Sequence, residues 1–329
     1  MKSRSSGCVA LLGLGLLLVP PARALDLKVS GYTTFFAECG APECGKRLIV
    51  LRKFRQGGET RLFAVDPRTL ETEVRSARGL SLKRMSWPAL RSAIAADAYG
   101  RALADSTRGA LRQNAGIVHA LPPGRGVVLT VDLCPSARPL DRRLFRTIID
   151  TFLPEEKPVP LGIALTGRWM DEHPADFAWL RRLATSGDVG ATWINHSFSH
   201  PYAKGVALSR NFLLQPGTDL RREILATEEA MLNRGLRPSI FFRFPGLVSD
   251  PGLVARVASY GLVVVGSDAW LAKKQEPSSG SIVLVHGNGN EPYGVERFLR
   301  LVRRERLAIR SRNWLLFDLR DSIRHEETR

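Results

Sequence analysis

The pattern of apolar and polar positions changes texture twice along this chain. Val9 to Val19 is an unbroken apolar run behind Lys2 and Arg4, and Pro20-Pro21-Ala22-Arg23-Ala24 follows it. The run is too short to span a bilayer comfortably, and small residues stand at the −3 and −1 positions of an A-x-A site. Residues 1–24 therefore read as a secretory signal peptide cut after Ala24, which implies export to the periplasm or the exterior. Over residues 25–120, strand patterns at Arg47–Phe54 and Thr60–Val65 flank Gln56-Gly57-Gly58 and predict a hairpin. Ser86–Ala104 has an alanine-rich helical spacing. These elements make a small α+β N-terminal module with no cluster of reactive residues.

From residue 121 to 329 short apolar runs alternate with amphipathic segments. Val127–Val131, Pro160–Leu165, Ser239–Phe242, Leu262–Val265 and Ser281–Val285 have buried-strand patterns. Asp219–Arg234 has helical spacing and stops at Gly235, and Asp250-Pro251 caps a helix that ends near Gly261. Alternating strands and helices imply parallel strands joined by helical crossovers, either a doubly wound sheet or a barrel. Asp132, Arg243 and His286 end three of these runs, and Asp268 follows a fourth. In α/β barrels that edge is the active-site face.

Between two of these runs lies Asn195-His196-Ser197-Phe198-Ser199-His200-Pro201. The four-residue spacing predicts that both imidazoles share one face of a helical turn, where they reach one metal ion such as zinc. Alone, the pair speaks slightly more for chance, capping or packing than for a metal. Its company at the strand ends favours a metal.

The formal charge is +16, and +13 once Lys2, Arg4 and Arg23 leave with the signal peptide. The arginines are scattered without a basic stripe of interleaved aromatics, and export argues against a nucleic-acid partner. The charge suits anionic envelope material, although a general arginine bias explains it equally well. Three cysteines remain after cleavage. Cys39 and Cys44 flank a short loop and are expected to form a disulfide, which leaves Cys134 over.

Five fragments in order resemble the polysaccharide deacetylases of the NodB-homology type, carbohydrate esterase family 4. Thr130-Val131-Asp132-Leu133-Cys134-Pro135 is similar to TFDDGP. His196 to His200 matches H[ST]xxH. Arg243-Phe244-Pro245-Gly246 is similar to RxPxG with the glycine one place early. Asp268-Ala269-Trp270 resembles an Asp-Trp element, and Leu284-Val285-His286 matches LxH. The resemblance runs from about Val127 to Phe317 and implies a distorted (β/α) barrel. It also implies metal-assisted hydrolysis of acetyl groups on N-acetylated glycans. By this resemblance His196 and His200 bind a divalent metal such as zinc, while Asp132 is the general base and Arg243 holds its carboxylate. His286 is the general acid, Asp268 orients it, and Trp270 with Pro245 lines the substrate pocket.

The first motif departs from the family. Its second aspartate, the usual third ligand, is Leu133 here, and leucine binds no cation. Cys134 two residues after the base, Asp132 itself, or a site that has lost its metal are the three alternatives. Beside the deacetylase stand two other readings, a catalytically silent glycan-binding barrel and a small-molecule amidohydrolase of the same fold. Neither the polymer nor the oligomeric state is legible in the residues.

Overall fold

Alternating apolar and charged residues make the N-terminal third an antiparallel sheet. In the computed structural model, which describes residues 28–109 and 112–323, its strands are β1 (Ser30–Cys39), β2 (Leu48–Gln56), β3 (Glu59–Val65), β4 (Thr72–Ser76) and β5 (Leu82–Arg84). Residues 1–24, read above as a signal peptide, lie outside the described residues. The strands pair in the order β4-β3-β2-β1-β5. The expected hairpin joins β2 to β3, with Gln56 opposite Glu59 and both intervening glycines at positive φ, 59° and 81°. Such a two-residue turn needs that conformation twice, and glycine adopts it without a Cβ clash. The disulfide Cys39–Cys44 closes on one face of this sheet, within a small cluster that includes Val50 and Leu62.

The helical stretch expected over Ser86–Ala104 is two helices, Trp87–Ala93 and Ala98–Thr107. Asp97 precedes the second, and its carboxylate pairs with Arg47 at 2.6 Å. The break turns Tyr99 inward, where its hydroxyl donates to the carbonyl of Gly261 at 2.6 Å.

The rest of the chain builds a parallel sheet of eight strands. They are β6 (Gly126–Leu133), β7 (Val159–Leu165), β8 (Val189–Asn195), β9 (Phe241–Phe242), β10 (Val263–Val264), β11 (Ala269–Trp270), β12 (Ile282–His286) and β13 (Leu315–Leu316). They run in the order β10-β9-β8-β7-β6-β12-β11, with β13 beside the first residues of β6. Both faces are covered, so the strands read as continuous apolar runs. Period-two alternation still sorts them. Val127, Leu129, Val131 and Leu133 join the core formed with the outer helices. Val128 belongs to the other core, with Ala164, Ile194 and Phe242. Thr130 and Asp132 share its side of the strand.

The sheet curls into a distorted (β/α) barrel whose seam is sealed by the segment before β6. Ile117 donates to the carbonyl of Val264 at 3.0 Å and accepts from Gly266 at 2.9 Å; Ala120 donates to Gly280 at 2.8 Å. These bonds fill the gap between β10 and the start of β12.

The antiparallel sheet packs against the barrel through a fully buried ion pair. Arg52 Nε and Nη2 reach the two carboxylate oxygens of Glu228 at 2.8 and 3.0 Å. Tyr32 donates to Glu228 at 3.0 Å, and Arg52 also donates to the carbonyl of Tyr260 at 2.6 Å. Desolvating both charges is costly, and the surrounding hydrogen bonds offset it; removing one partner would cost about 3–5 kcal/mol. Among the described residues no helix is long and apolar enough to cross a membrane.

Candidate active site

The segment holding both histidines is a loop rather than the expected helical turn. β8 ends at Asn195, and Ser197 and His200 adopt positive φ of 67° and 49°. Non-glycine residues in this region carry strain of order 1–3 kcal/mol, so something must hold them there. Asn195 Oδ1 accepts from the amide of Ser197 at 3.0 Å, and Ser197 Oγ accepts from the amide of His200 at 3.2 Å. The buried carboxylate of Glu223 accepts from the amides of Phe198 and Ser199, both at 2.9 Å, and from the Ser199 hydroxyl at 2.6 Å. These bonds take the place of a helical ladder. The rings of His196 and His200 still meet edge to face, 5.0 Å between centroids.

Asp132 and Arg243 meet inside the barrel mouth, both buried. Arg243 Nη1 donates to Asp132 Oδ1 at 2.8 Å and to Thr130 Oγ1 at 2.6 Å, while Nη2 donates to the carbonyl of Gly266 at 2.8 Å. Thr130 passes its own proton to the carbonyl of Val283 at 2.6 Å. Asp132 Oδ2 is left facing the histidines, 3.6 Å from His196 Nε2. Burial alone would push the Asp132 carboxyl up, but Arg243, with His196 and His286, outweighs it and holds the group below its ordinary range.

His286 ends β12 directly beside Asp132, its register partner on β6. Its Nδ1 lies 2.7 Å from Glu291 Oε2, and the same oxygen accepts the indole N–H of Trp270 at 2.7 Å. The Trp270 and His286 rings lie 6.0 Å apart. Burial lowers the His286 pKa, yet Cys134, Glu291 and Asp132 together raise it well above the ordinary value.

Asp268 does not orient His286. β11 runs level with the start of β12, Ala269 opposite Val283, so Asp268 stands near the amino end of that strand and His286 at the other. Its carboxylate instead accepts from the Ile282 amide at 3.0 Å and pairs with His119 Nδ1 at 2.6 Å. Glu291 occupies the position at His286 that the resemblance gave to Asp268. Pro245 also departs from expectation: it is buried in a short 3-10 turn, and its neighbour Gly246 lines the cleft.

Leu133 is fully buried in the outer core and packs away from the site. The strand's alternation returns at Cys134, which comes round to the side of Asp132. The sulfur of Cys134 and one ring nitrogen each of His196 and His200 lie within 4.8 Å of one another. Cys134 Sγ is 3.5 Å from His196 Nε2. His196 Nδ1 donates to the carbonyl of Arg243 at 2.9 Å, which places the proton of the neutral ring there and leaves Nε2, turned toward the Cys134 sulfur, as the nitrogen with coordinating capacity. His200 Nε2 is buried with no hydrogen-bond partner. Such an orphaned lone pair, beside a sulfur and a second imidazole, fits a thiophilic divalent cation. Burial raises the Cys134 thiol, but His200, His286 and His196 outweigh it and hold it well below its ordinary value. The amide of Asn288 anchors the Cys134 backbone carbonyl at 2.5 Å.

These groups open into a cleft of about 890 Å³, lined also by Arg168, Tyr202, Phe212 and Trp270. Tyr202 is 63% exposed at its rim, its ring tilted against Phe212 with 5.3 Å between centroids.

No known family model matches the chain. Among solved structures it is similar to a family 4 carbohydrate esterase from Bacillus anthracis, at 18% identity and a TM-score of 0.47, covering 68% of this chain and 91% of the other. It is also similar to the chitin deacetylase of Colletotrichum lindemuthianum, at 15% identity and a TM-score of 0.42, covering 66% of this chain and 95% of that one. A third is a family 4 pseudoenzyme from Bacillus anthracis, at 15% identity and a TM-score of 0.42, covering 64% and 69%. Two of these three neighbours, the esterase and the pseudoenzyme, bear the name of one family. It is the family that the five motifs resemble.

Glu291, Glu223 and Asn288 were not singled out in the sequence. Glu291 follows His286 by five residues in a turn, with no pattern around it to mark it. Glu223 lies on a helix, among residues whose spacing signals only amphipathicity.

Proposed function

We propose that this chain is an exported, metal-assisted deacetylase of an N-acetylated glycan. The observation that carries this reading is the convergence of Cys134, His196 and His200 beside a carboxylate held ionised by Arg243. Cys134 takes the place of the family's missing aspartate as third ligand. A divalent cation bound there, zinc by the donor set, supplies Lewis acidity that polarises the acetyl carbonyl and makes water a stronger acid.

The protein's own groups do the rest. Asp132 Oδ2 faces the histidines and takes the proton of the attacking water, whose oxygen bonds to the acetyl carbon. Arg243 keeps that carboxylate charged and fixed, so the base stays competent near neutral pH. Glu291 holds His286 by Nδ1, leaving Nε2 to protonate the sugar nitrogen as the carbon–nitrogen bond breaks. Trp270 walls one side of the cleft, and Tyr202 offers an exposed ring on its rim for a sugar face.

The test joins elemental analysis of the purified protein to acetate release from N-acetylated oligosaccharides. Stoichiometric metal is expected in the wild type and in Asp132→Asn, with acetate release abolished in Asp132→Asn. Cys134→Ser and His200→Ala should lose metal. Unchanged metal content in Cys134→Ser would remove the thiolate from the ligand set. Acetate release surviving in Asp132→Asn would overturn the mechanism.

A further inference from the structure

Just past Trp270 the surface carries a second concavity. It lies between the segment after β11 and the helix Pro292–Arg304. Its volume is about 290 Å³, and Leu271, Glu276, Arg297, Arg300 and Arg304 line it. Tyr293, Arg297, Arg300 and Arg304 recur at helical spacings of four, three and four residues, so they form one stripe. The guanidinium of Arg300 lies 5.9 Å from the Tyr293 ring centroid, and that of Arg297 lies 5.8 Å from it. On the segment after β11, Lys273 Nζ sits 3.8 Å from the ring centroid of Trp270, the same Trp270 that lines the catalytic cleft. Among the described residues Glu276 pairs with Arg297, Glu305 pairs with Arg304 at 3.1 Å, and Glu296 lies within electrostatic reach of Arg300.

We infer that this groove is a subsite for an acidic glycan, so that the substrate is a polymer bearing carboxylates or comparable anions between its acetylated sugars. The inference rests on the deacetylase reading of the neighbouring cleft. Trp270 lines the catalytic cleft and its chain neighbour Leu271 lines the groove, so the two concavities adjoin along the chain. The groove's cations are arginines, which match carboxylate oxygens with several donors each. The exposed Tyr293, its ring flanked by the Arg297 and Arg300 guanidiniums, adds an aromatic surface against which a sugar ring packs. A bilayer surface would instead call for apolar side chains projecting from the patch. Of the apolar residues lining the groove, Leu271 and Leu301 are buried and Pro277 is half-buried, so none projects as a membrane anchor would. Concentrating positive charge beside the cleft also speeds encounter with a polyanion and makes binding salt-dependent.

The test uses full-length protein and two soluble probes, an alternating N-acetylglucosamine–glucuronate polymer and neutral N-acetylglucosamine oligomers. Wild type should bind the acidic polymer at least tenfold more tightly than the neutral one, and lose most of that preference between 50 and 500 mM salt, about the range over which screening shortens from ~13 to ~4 Å. Arg300→Glu/Arg304→Glu should weaken binding of the acidic polymer more than tenfold. Arg306→Glu/Arg310→Glu, an equal charge change on the next helix, should weaken it less than twofold. Equal losses in both pairs would mean bulk charge and overturn the subsite. So would retention on phosphatidylglycerol vesicles without binding of the acidic polymer. Binding is read without turnover, so selective retention by a protein that releases no acetate would leave the groove standing while the deacetylase reading fell.

Discussion

Glu291 lies against His286 with one carboxylate oxygen 2.7 Å from Nδ1, and that oxygen also takes the indole proton of Trp270. A histidine that must donate a proton from one nitrogen needs the other held and its cationic form stabilised. Glu291→Gln keeps the size and removes the charge. It should lower kcat about 10- to 100-fold with a smaller change in KM, in the range seen for groups that orient a working histidine. Steady-state acetate release measures it. A value within twofold of wild type would return Glu291 to a purely structural part.

Arg243 is buried with three partners, and Asp132 depends on it for its charge. Arg243→Met should destabilise the fold by about 3–5 kcal/mol, because it strands a buried carboxylate. Adding Asp132→Asn to that variant should restore part of the loss, since the stranded charge goes with it. Urea unfolding of the two single variants and the double variant reads the coupling directly.

Glu156 gives a pH signature away from the site. Burial pushes its pKa up to about 7, and the Leu316 amide and Arg312 only partly oppose this. A carboxyl raised in the folded state favours folding while protonated. Its contribution is therefore complete below the unfolded pKa of about 4.3 and is lost as pH rises through 7. Glu156→Gln should match wild type near pH 4 and exceed its stability by about 2 kcal/mol at pH 8. Denaturant melts across that range check the divergence, and parallel curves would refute it.

The disulfide closes a loop with a sequence separation of 5 on the antiparallel sheet. The loop-entropy account gives such a short closure about 2 kcal/mol. Cys39→Ser/Cys44→Ser should lose roughly that much stability and retain full metal content, in contrast to Cys134→Ser.

Strand–helix alternation was legible because parallel strands covered on both faces must be continuously apolar. Thr130 to Cys134 also carried a readable message: period two puts Asp132 and Cys134 on one side and sends Leu133 into the outer core. The histidine pair was legible as a pair but not as a loop, because the bonds that replace the helix come from Asn195 and from Glu223 on a distant helix. Asp268 misled for a related reason. The apolar run before it ends at Val265, but the chain starts a new strand at Ala269, level with the beginning of β12. Only the sheet register shows that Asp268 and His286 stand at opposite ends. Glu291 had no local signal, since its role is set by where β12 delivers the turn that follows it.

The stretch from Asn114 to Ala120 works as a missing stave between β10 and β12. A shortened protein beginning at Leu121 would retain every proposed catalytic group, yet its flank would be unzipped and its strand edge bared to neighbouring chains. Pruning the amino-terminal third would thus invite self-association, and it would also remove Asn114, whose side chain grips Ser267 beside the Gly266 carbonyl that anchors Arg243.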